Sequence, residues 1–508
     1  MTSTPAGRTA AALATLVLGA ALAACGGRGS AGAESGRARA TDLDAVRIAR
    51  VERGLLPTVA LRGRRDTAYT LADRMERYGV PAVSVAVIDG GRVAWARAYG
   101  TLEAGGAPID TATLFQAGSI SKAITAVAAL HLVDRGVLRL DEDVNLRLVS
   151  WKVPASELTR ARPVTLRGLL SHGAGLNVPS FTPGYLPGAP SPTLLQVLDG
   201  TPPADNPPIR VEVAPGTEWR YSGGGLSVVQ QLLMDVTRRP FADVLKEAVF
   251  DRAGMRRTLA EQPLSAAHAA TAATAHSRGA PVEGRWRVHP ELAAAGLWST
   301  APDLARFGVA MLRAIRGDRG ALLLPATARD MVTRQIGTWG LGFALGGGAG
   351  DSATVGHDGS TAGFTARLLV LPATGQGIAI MTNAESEAFI DEIMRAVAKE
   401  YAWPVRPRIE KAVVAVDPAG YAALAGRYRV EVGERSFDFA VSVDGTGDGR
   451  RLSITGPSGR PGVMLPLSAL RFFSQDTGNE FTFTREGNVV TTMVIDQQGE
   501  RYTARRLP

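Results

Sequence analysis

The apolar residues of this chain change period twice. Thr9 to Ala21 is almost wholly apolar, follows a single positive charge at Arg8 and runs into small residues. That is the pattern of an export signal rather than a membrane span. No later stretch gives about 18 consecutive apolar residues, so no transmembrane helix is expected in the body.

From about residue 70 to 400, β-type runs alternate with helical periodicities. Thr70 to Tyr78 reads as a short amphipathic helix ended by Gly79. Val83 to Ile88 and Val93 to Tyr99 flank Asp89-Gly90-Gly91, a strong hairpin signal. Ile120 to Val137 is apolar on nearly every side and stops at Gly136, so it predicts a helix buried in the core. Residues 177–216 carry ten prolines and read as a long irregular excursion of the kind that shapes a substrate cleft. Leu226 to Val236 is helical, and Phe364 to Leu371 and Gly377 to Thr382 are β-type. A helix bearing Phe389, Ile390, Ile393, Met394 and Val397 should pack on the sheet before Pro404 and Pro407 break the chain. From about Tyr421 the period falls to two, with Gly/Asp/Asn turns between runs, which predicts a small barrel or curved sheet of about six to eight strands. The fold class is therefore α+β followed by a small all-β module. The expected boundaries are an export signal at 1–24, a tether and lead-in at 25–65, a catalytic-type domain at 66–405 and the β module at 415–508.

Composition narrows the setting. The 508 residues are 45% hydrophobic and 20% charged, ordinary for a globular protein. The net charge of +8 becomes +7 without Arg8 (8 − 1) and is spread along the chain, so nucleic acid is not an expected partner. The single cysteine, Cys25, closes Leu22-Ala23-Ala24-Cys25. This resembles a bacterial lipobox and implies a lipidated N-terminus, a membrane partner through that lipid, and an exported cell-envelope location. Gly26 after it favours outer-membrane retention where a cell has two membranes. With one cysteine there is no disulfide, so a large core must hold the fold. The six histidines (131, 172, 268, 276, 289, 357) show no metal-ligand spacing. Neither metal nor cofactor is expected. His131 reads as a hydrogen-bonded core residue and His172 as a turn brace.

Lysine is scarce: 5 of the 56 basic residues (122, 152, 246, 399, 411). One stands in Ser119-Ile120-Ser121-Lys122, at the head of the buried helix. Arginine keeps its proton, whereas a buried lysine can become a neutral amine and take a proton from a serine. Ser119 and Lys122, three apart, share a helix face. Tyr221-Ser222-Gly223-Gly224-Gly225 follows the proline-rich stretch, and its phenol can relay protons with Lys122. Gly356-His357-Asp358-Gly359-Ser360 falls where a strand should begin, offering backbone N–H groups to an oxyanion and a glycine that lets substrate come close. His357 can contact the carboxylate end of a substrate.

In that order these motifs, with Phe115-Gln-Ala-Gly-Ser-Ile-Ser-Lys122, Leu169-Leu-Ser-His-Gly-Ala-Gly-Leu176 and Ala295-Gly-Leu-Trp-Ser-Thr300, resemble the serine β-lactamase and DD-peptidase superfamily. Within it they are most similar to class C-related serine hydrolases. The resemblance spans about residues 70 to 400 and implies a mostly antiparallel sheet flanked by helices beside a helical region. It further implies Ser119 as acylated nucleophile, Lys122 and Tyr221 as bases, the N–H groups of Ser119 and Ser360 as oxyanion hole, and His357 and Gly359 along the cleft. The β module looks like the lipocalin-like extension of some members. Two departures stand out. Tyr-x-Asn appears as Tyr221-Ser222-Gly223, and Lys-Thr-Gly appears as His357-Asp358-Gly359. Both point away from efficient β-lactam hydrolysis. The expectation is a serine hydrolase acting on small-molecule or peptide substrates, with amides of D-amino acids leading and esters or weak β-lactam hydrolysis as alternatives. A non-catalytic penicillin-binding or sensor lipoprotein is the reading from another class.

Overall fold

A computed structural model describes residues 43–508 except 405–407, 433–434, 458 and 498. The signal and Cys25 lie outside the described residues, as does Pro407. Residues 43–52 are helical, and Arg50 to Pro508 make up one compact unit.

Local chemistry sets the first elements. Helix α1 (Leu71–Tyr78) opens with a reciprocal capping box between Thr70 and Asp73 and closes at Gly79, whose φ is 54°. Strands β1 (Ala82–Asp89) and β2 (Arg92–Gly100) form the expected hairpin. Gly90 and Gly91 both have positive φ, at 57° and 71°, which a tight two-residue turn of this hand requires. Helix α2 (Ile120–Asp134) is buried along almost its whole length. His131 departs from expectation: it is half-exposed and pairs its Nδ1 with the Arg252 guanidinium at 2.7 Å, because it sits near the helix end where the core thins.

Against α2 packs α4 (Gly223–Thr237), which also contacts α3 (Leu166–Ser171). The proline-rich excursion between them carries one short helix, Leu194–Asp199, capped by Thr193 and Gly200. The periodic pattern was too short there to announce it. Helix α5 (Ala301–Arg316) and strands β3 (Ala344–Gly346), β4 (Thr354–Thr361), β5 (Phe364–Leu371) and β6 (Gln376–Thr382) precede α6 (Glu387–Glu400). The sheet order is β2-β1-β6-β5-β4-β3, antiparallel throughout. On β5, Leu368 and Val370 face α5, where Gly308 lies against them. The alternate residues Thr365 and Arg367 face the start of α6 through Ser386 and Asp391. The period of two thus sandwiches the sheet between helices.

The β module is a closed eight-stranded barrel, β7 (Gly426–Val432) through β14 (Glu500–Arg506), sealed by β7 pairing with β14. Its interior is filled by Tyr428, Leu452, Phe472, Phe481, Phe483 and Met493. It is fastened to the catalytic domain by charge. Arg74 on α1 donates to both carboxylate oxygens of fully buried Glu392 on α6, and to Asp476 on the barrel at 2.8 Å. Arg77 reaches the same Asp476 at 3.0 Å, and the Tyr78 hydroxyl donates to Glu392 at 2.8 Å. A second fastening was invisible in the pattern. Val59–Leu61 pairs in parallel with Ile409–Lys411, the chain leading to the barrel.

Breaking the buried pair should cost far more than breaking an exposed one. Arg74→Ala leaves the Glu392 carboxylate without its cation and is expected to lose about 3–5 kcal/mol. Arg427→Ala, which frees only the exposed pair with Asp438, should lose about 1 kcal/mol or less. Urea midpoints of the two variants measured side by side check this.

Candidate active site

Ser119 stands at the junction of a two-residue strand, Phe115–Gln116, and α2. It is the N-cap, yet its side chain makes no capping hydrogen bond, so the hydroxyl is not spent on the helix. One turn on, Lys122 places Nζ 2.9 Å from Ser119 Oγ and 2.7 Å from the carbonyl oxygen of Ala294. No carboxylate is among its hydrogen-bond partners. Burial alone pushes this ammonium down to about 7, because the charged form loses its water without gaining a counter-ion.

Tyr221 leads into α4. Arg220 N–H donates to the carbonyl of His172, and Ser222 N–H donates to His172 Nδ1. His172 itself occupies a left-handed turn at φ 60°, so it braces the turn as expected. The Tyr221 ring lies 5.0 Å from Lys122 Nζ. Burial pushes its phenol up to about 12, while the Ser119 hydroxyl beside it acts in the opposite direction.

The facing wall is β4, which begins at Thr354, so His357 sits inside the strand rather than at its start. The strand and the approach to α2 come very close. A Cβ on Gly359 would lie 2.0 Å from the Ala117 oxygen and 3.3 Å from Ser119 N, and one on Gly118 would lie 2.6 Å from Ser360 N. Only glycines allow this crossing, which brings the backbone at Ser119 and at Ser360 into close approach. His357 is buried, its Nδ1 donates to the Asp358 carbonyl at 2.6 Å, and its Nε2 has no partner among the described residues. Burial, then the nearby Lys122 charge, lowers it to about 4.

Ser119, Lys122, Tyr221, Gly359 and Ser360 line one cavity of about 500 Å³. His357 does not line it; it lies across Tyr221, with ring centroids 6.4 Å apart. No cluster of metal-binding side chains occurs among the described residues. The cavity also contains residues that sequence reasoning did not single out. Phe181 fills the space beside Gly223: a Cβ there would lie 3.1 Å from its ring and 3.2 Å from the Pro179 oxygen. The missing asparagine is therefore replaced by a loop, not by a void. His289 is buried, both its ring nitrogens lack partners among the described residues, and burial lowers it to about 4. Two residues on, Glu291 is fully buried and raised to about 8 by burial, so it is an uncharged acid at neutral pH. Both sit on the segment that supplies Ala294 to Lys122. Glu385 and Glu387 complete the opposite rim.

A family model described as Beta-lactamase matches residues 68–402. Penicillin-binding protein 4 of Amycolatopsis lactamdurans is 29% identical over 375 residues, covering 70% of this chain and 94% of that protein. Esterase EstB of Burkholderia gladioli is 30% identical over 340 residues, covering 57% of this chain and 80% of the esterase. Among solved structures, the octameric penicillin-binding protein homologue from Pyrococcus abyssi aligns with a TM-score of 0.58 at 20% identity, over 85% of this chain and 98% of that one.

The lysine's environment fixes a pH dependence. The neutral amine, which accepts a proton, gains population as pH rises through about 7. Labelling of Ser119 by a fluorophosphonate should therefore climb about tenfold per pH unit below that point and level off above it. Lys122→Arg should lower the labelling rate by about 10²–10⁴ and abolish the rise, because guanidinium keeps its proton. Stopped-time mass spectrometry across pH 5 to 9 (roughly two units either side of neutrality) reads both.

Proposed function

The chain belongs to the Beta-lactamase family and is a serine hydrolase of that superfamily; from this premise we propose that it forms a covalent acyl-enzyme on Ser119 and hydrolyses amides of D-amino acids or short peptides containing them. The observation that carries the reading is the 2.9 Å contact between Ser119 Oγ and a lysine buried without a carboxylate.

The two candidate bases divide the work. At neutral pH, forming the Tyr221 phenolate costs about 7 kcal/mol more than forming the Lys122 amine, given their values of about 12 and about 7. Lys122 is the base and Tyr221 the proton donor. The amine holds the Ala294 carbonyl with one N–H, and at 2.9 Å from Ser119 Oγ its nitrogen, once neutral, is in reach to take the hydroxyl proton. As Oγ bonds to the substrate carbonyl carbon, its proton passes to Lys122. The oxygen's negative charge is met by the N–H groups of Ser119 and Ser360, each worth about 2.7–4 kcal/mol in comparable sites. Tyr221 delivers a proton to the departing nitrogen and recovers one from Lys122. Water then attacks the acyl ester, and the same groups return the proton to Ser119. Glu385 and Glu387 on the cavity rim favour a substrate ammonium, as a free D-amino acid amide carries.

The same acylation chemistry serves esters, and the 30% identity to an esterase favours that as the second reading. The class C-like branch is the proposed position in the family, on the strength of Tyr221 and His357. We also propose that Cys25 is lipidated after export and tethers the enzyme in the cell envelope.

Ser119→Ala should abolish fluorophosphonate labelling and lower kcat/KM by about 10³-fold or more. Purified enzyme assayed on D-amino-acid anilides, D-Ala-D-Ala peptides, p-nitrophenyl esters and nitrocefin should favour the anilides. If Ser119→Ala keeps full activity, the acyl-enzyme reading on Ser119 fails. For the anchor, Cys25→Ser should move the protein from the membrane fraction to the soluble fraction.

A further inference from the structure

A second cavity of about 470 Å³ adjoins the first. Tyr221, Asp358 and Arg367 line both. Its own walls are Trp219, Trp339, His357, Leu345 and Met394. The rings form one continuous cluster. Trp219 lies 5.6 Å from Trp339, Trp339 lies 5.4 Å from His357, and Trp339 lies 5.9 Å from Tyr221. Trp219 is 42% exposed, an unusual degree for a tryptophan at the mouth of a cavity.

The polar groups on these walls are specific in kind. A carbonyl oxygen can only accept, so the 2.6 Å contact from His357 Nδ1 to the Asp358 carbonyl fixes the proton on Nδ1. Nε2 is then an acceptor, buried and without a partner. Trp339 Nε1, a donor, is likewise buried and unpaired. Such groups are costly unless something arrives to bond them. Charge is the other constraint. Apart from histidines, the basic residues lining either cavity, among the described residues, are Lys122 and Arg367. Arg367 is already committed to Asp358 at 2.8 Å and to Asp391. A carboxylate arriving beside His357 would meet an acceptor lone pair and no free cation. The expectation that His357 contacts a substrate carboxylate does not fit this arrangement.

We propose that the cavity walled by Trp219, Trp339 and His357 is the leaving-group subsite, built for an uncharged aromatic or apolar group that offers an N–H or O–H to His357 Nε2 and carries no carboxylate. The side is set by proton transfer. The donor that protonates the departing atom must be within hydrogen-bond reach of it, so the leaving group lies beside Tyr221, where this cavity opens. The inference rests on the acyl-enzyme reading above and narrows its substrates to those with uncharged departing groups.

The test uses D-alanine amides and esters bearing benzyl, methyl or 4-carboxybenzyl groups, with fluorophosphonate labelling of Ser119 run in parallel. The benzyl compounds should exceed the methyl ones in kcat/KM by about tenfold or more, and the added carboxylate should cancel that gain. Trp219→Ala and Trp339→Ala should each collapse the benzyl-to-methyl ratio towards one. Trp219 is exposed, so its variant stays informative even if the Trp339 variant fails to fold. His357→Lys should raise the 4-carboxybenzyl-to-benzyl ratio by about tenfold or more. A wild-type ratio near one, a preference for the carboxylate, or no turnover of benzyl compounds by a chain that labels at Ser119 overturns the subsite alone. Failure of Ser119 to label overturns the acyl-enzyme reading beneath it.

Discussion

The site depends on a lysine kept out of water without a counter-ion. An ammonium in that position is expensive, and the chain lowers the expense by letting the group go neutral near physiological pH. Everything around Lys122 serves that end. Helix α2 is buried on nearly all sides, the 286–296 segment offers Lys122 the Ala294 carbonyl, and the one acid on that segment, Glu291, is raised to about 8 by burial. The neutral state of His172, His289 and His357 follows from the same dry interior and the same nearby charge.

What could be read in advance divides by distance along the chain. The Ser119–Lys122 pair was legible because three residues on a helix bring two side chains together whatever surrounds them. The β1–β2 hairpin and the α1 cap were legible because turn and cap chemistry is local. Phe181, His289, Trp339 and Arg367 were not, because each reaches the site through packing between segments far apart in sequence. The Val59–Leu61 pairing with Ile409–Lys411 failed for the same reason: three-residue strands carry no detectable period. Trp219, two residues before Tyr221 on an extended lead, was the one signal available and unused. His131 erred differently, since a helix pattern says which face is apolar but not where the core ends.

The barrel follows a separate logic. Its interior is filled by aromatic and aliphatic side chains, as the interiors of small closed barrels are filled by side chains, and its tie to the catalytic domain runs through Arg74, Glu392 and Asp476. Because Glu392 belongs to α6, whose first residue Glu387 stands on the cavity rim, the helix that receives the barrel is also one that borders the cavity.

The crossing of β4 over the start of α2 has a consequence for how such a site can change. Gly118 and Gly359 leave no slack between the two backbones, so the gap between Ser119 and the Ser360 backbone nitrogen is a fixed gauge set by main chain. Side-chain variation cannot widen or narrow it without pushing the walls apart. Diversity in what this enzyme type accepts must then accumulate on the opposite lip, in the proline-rich loop around Phe181 and in the tryptophans near Tyr221, where a change of residue alters the fit and leaves the chemistry in place.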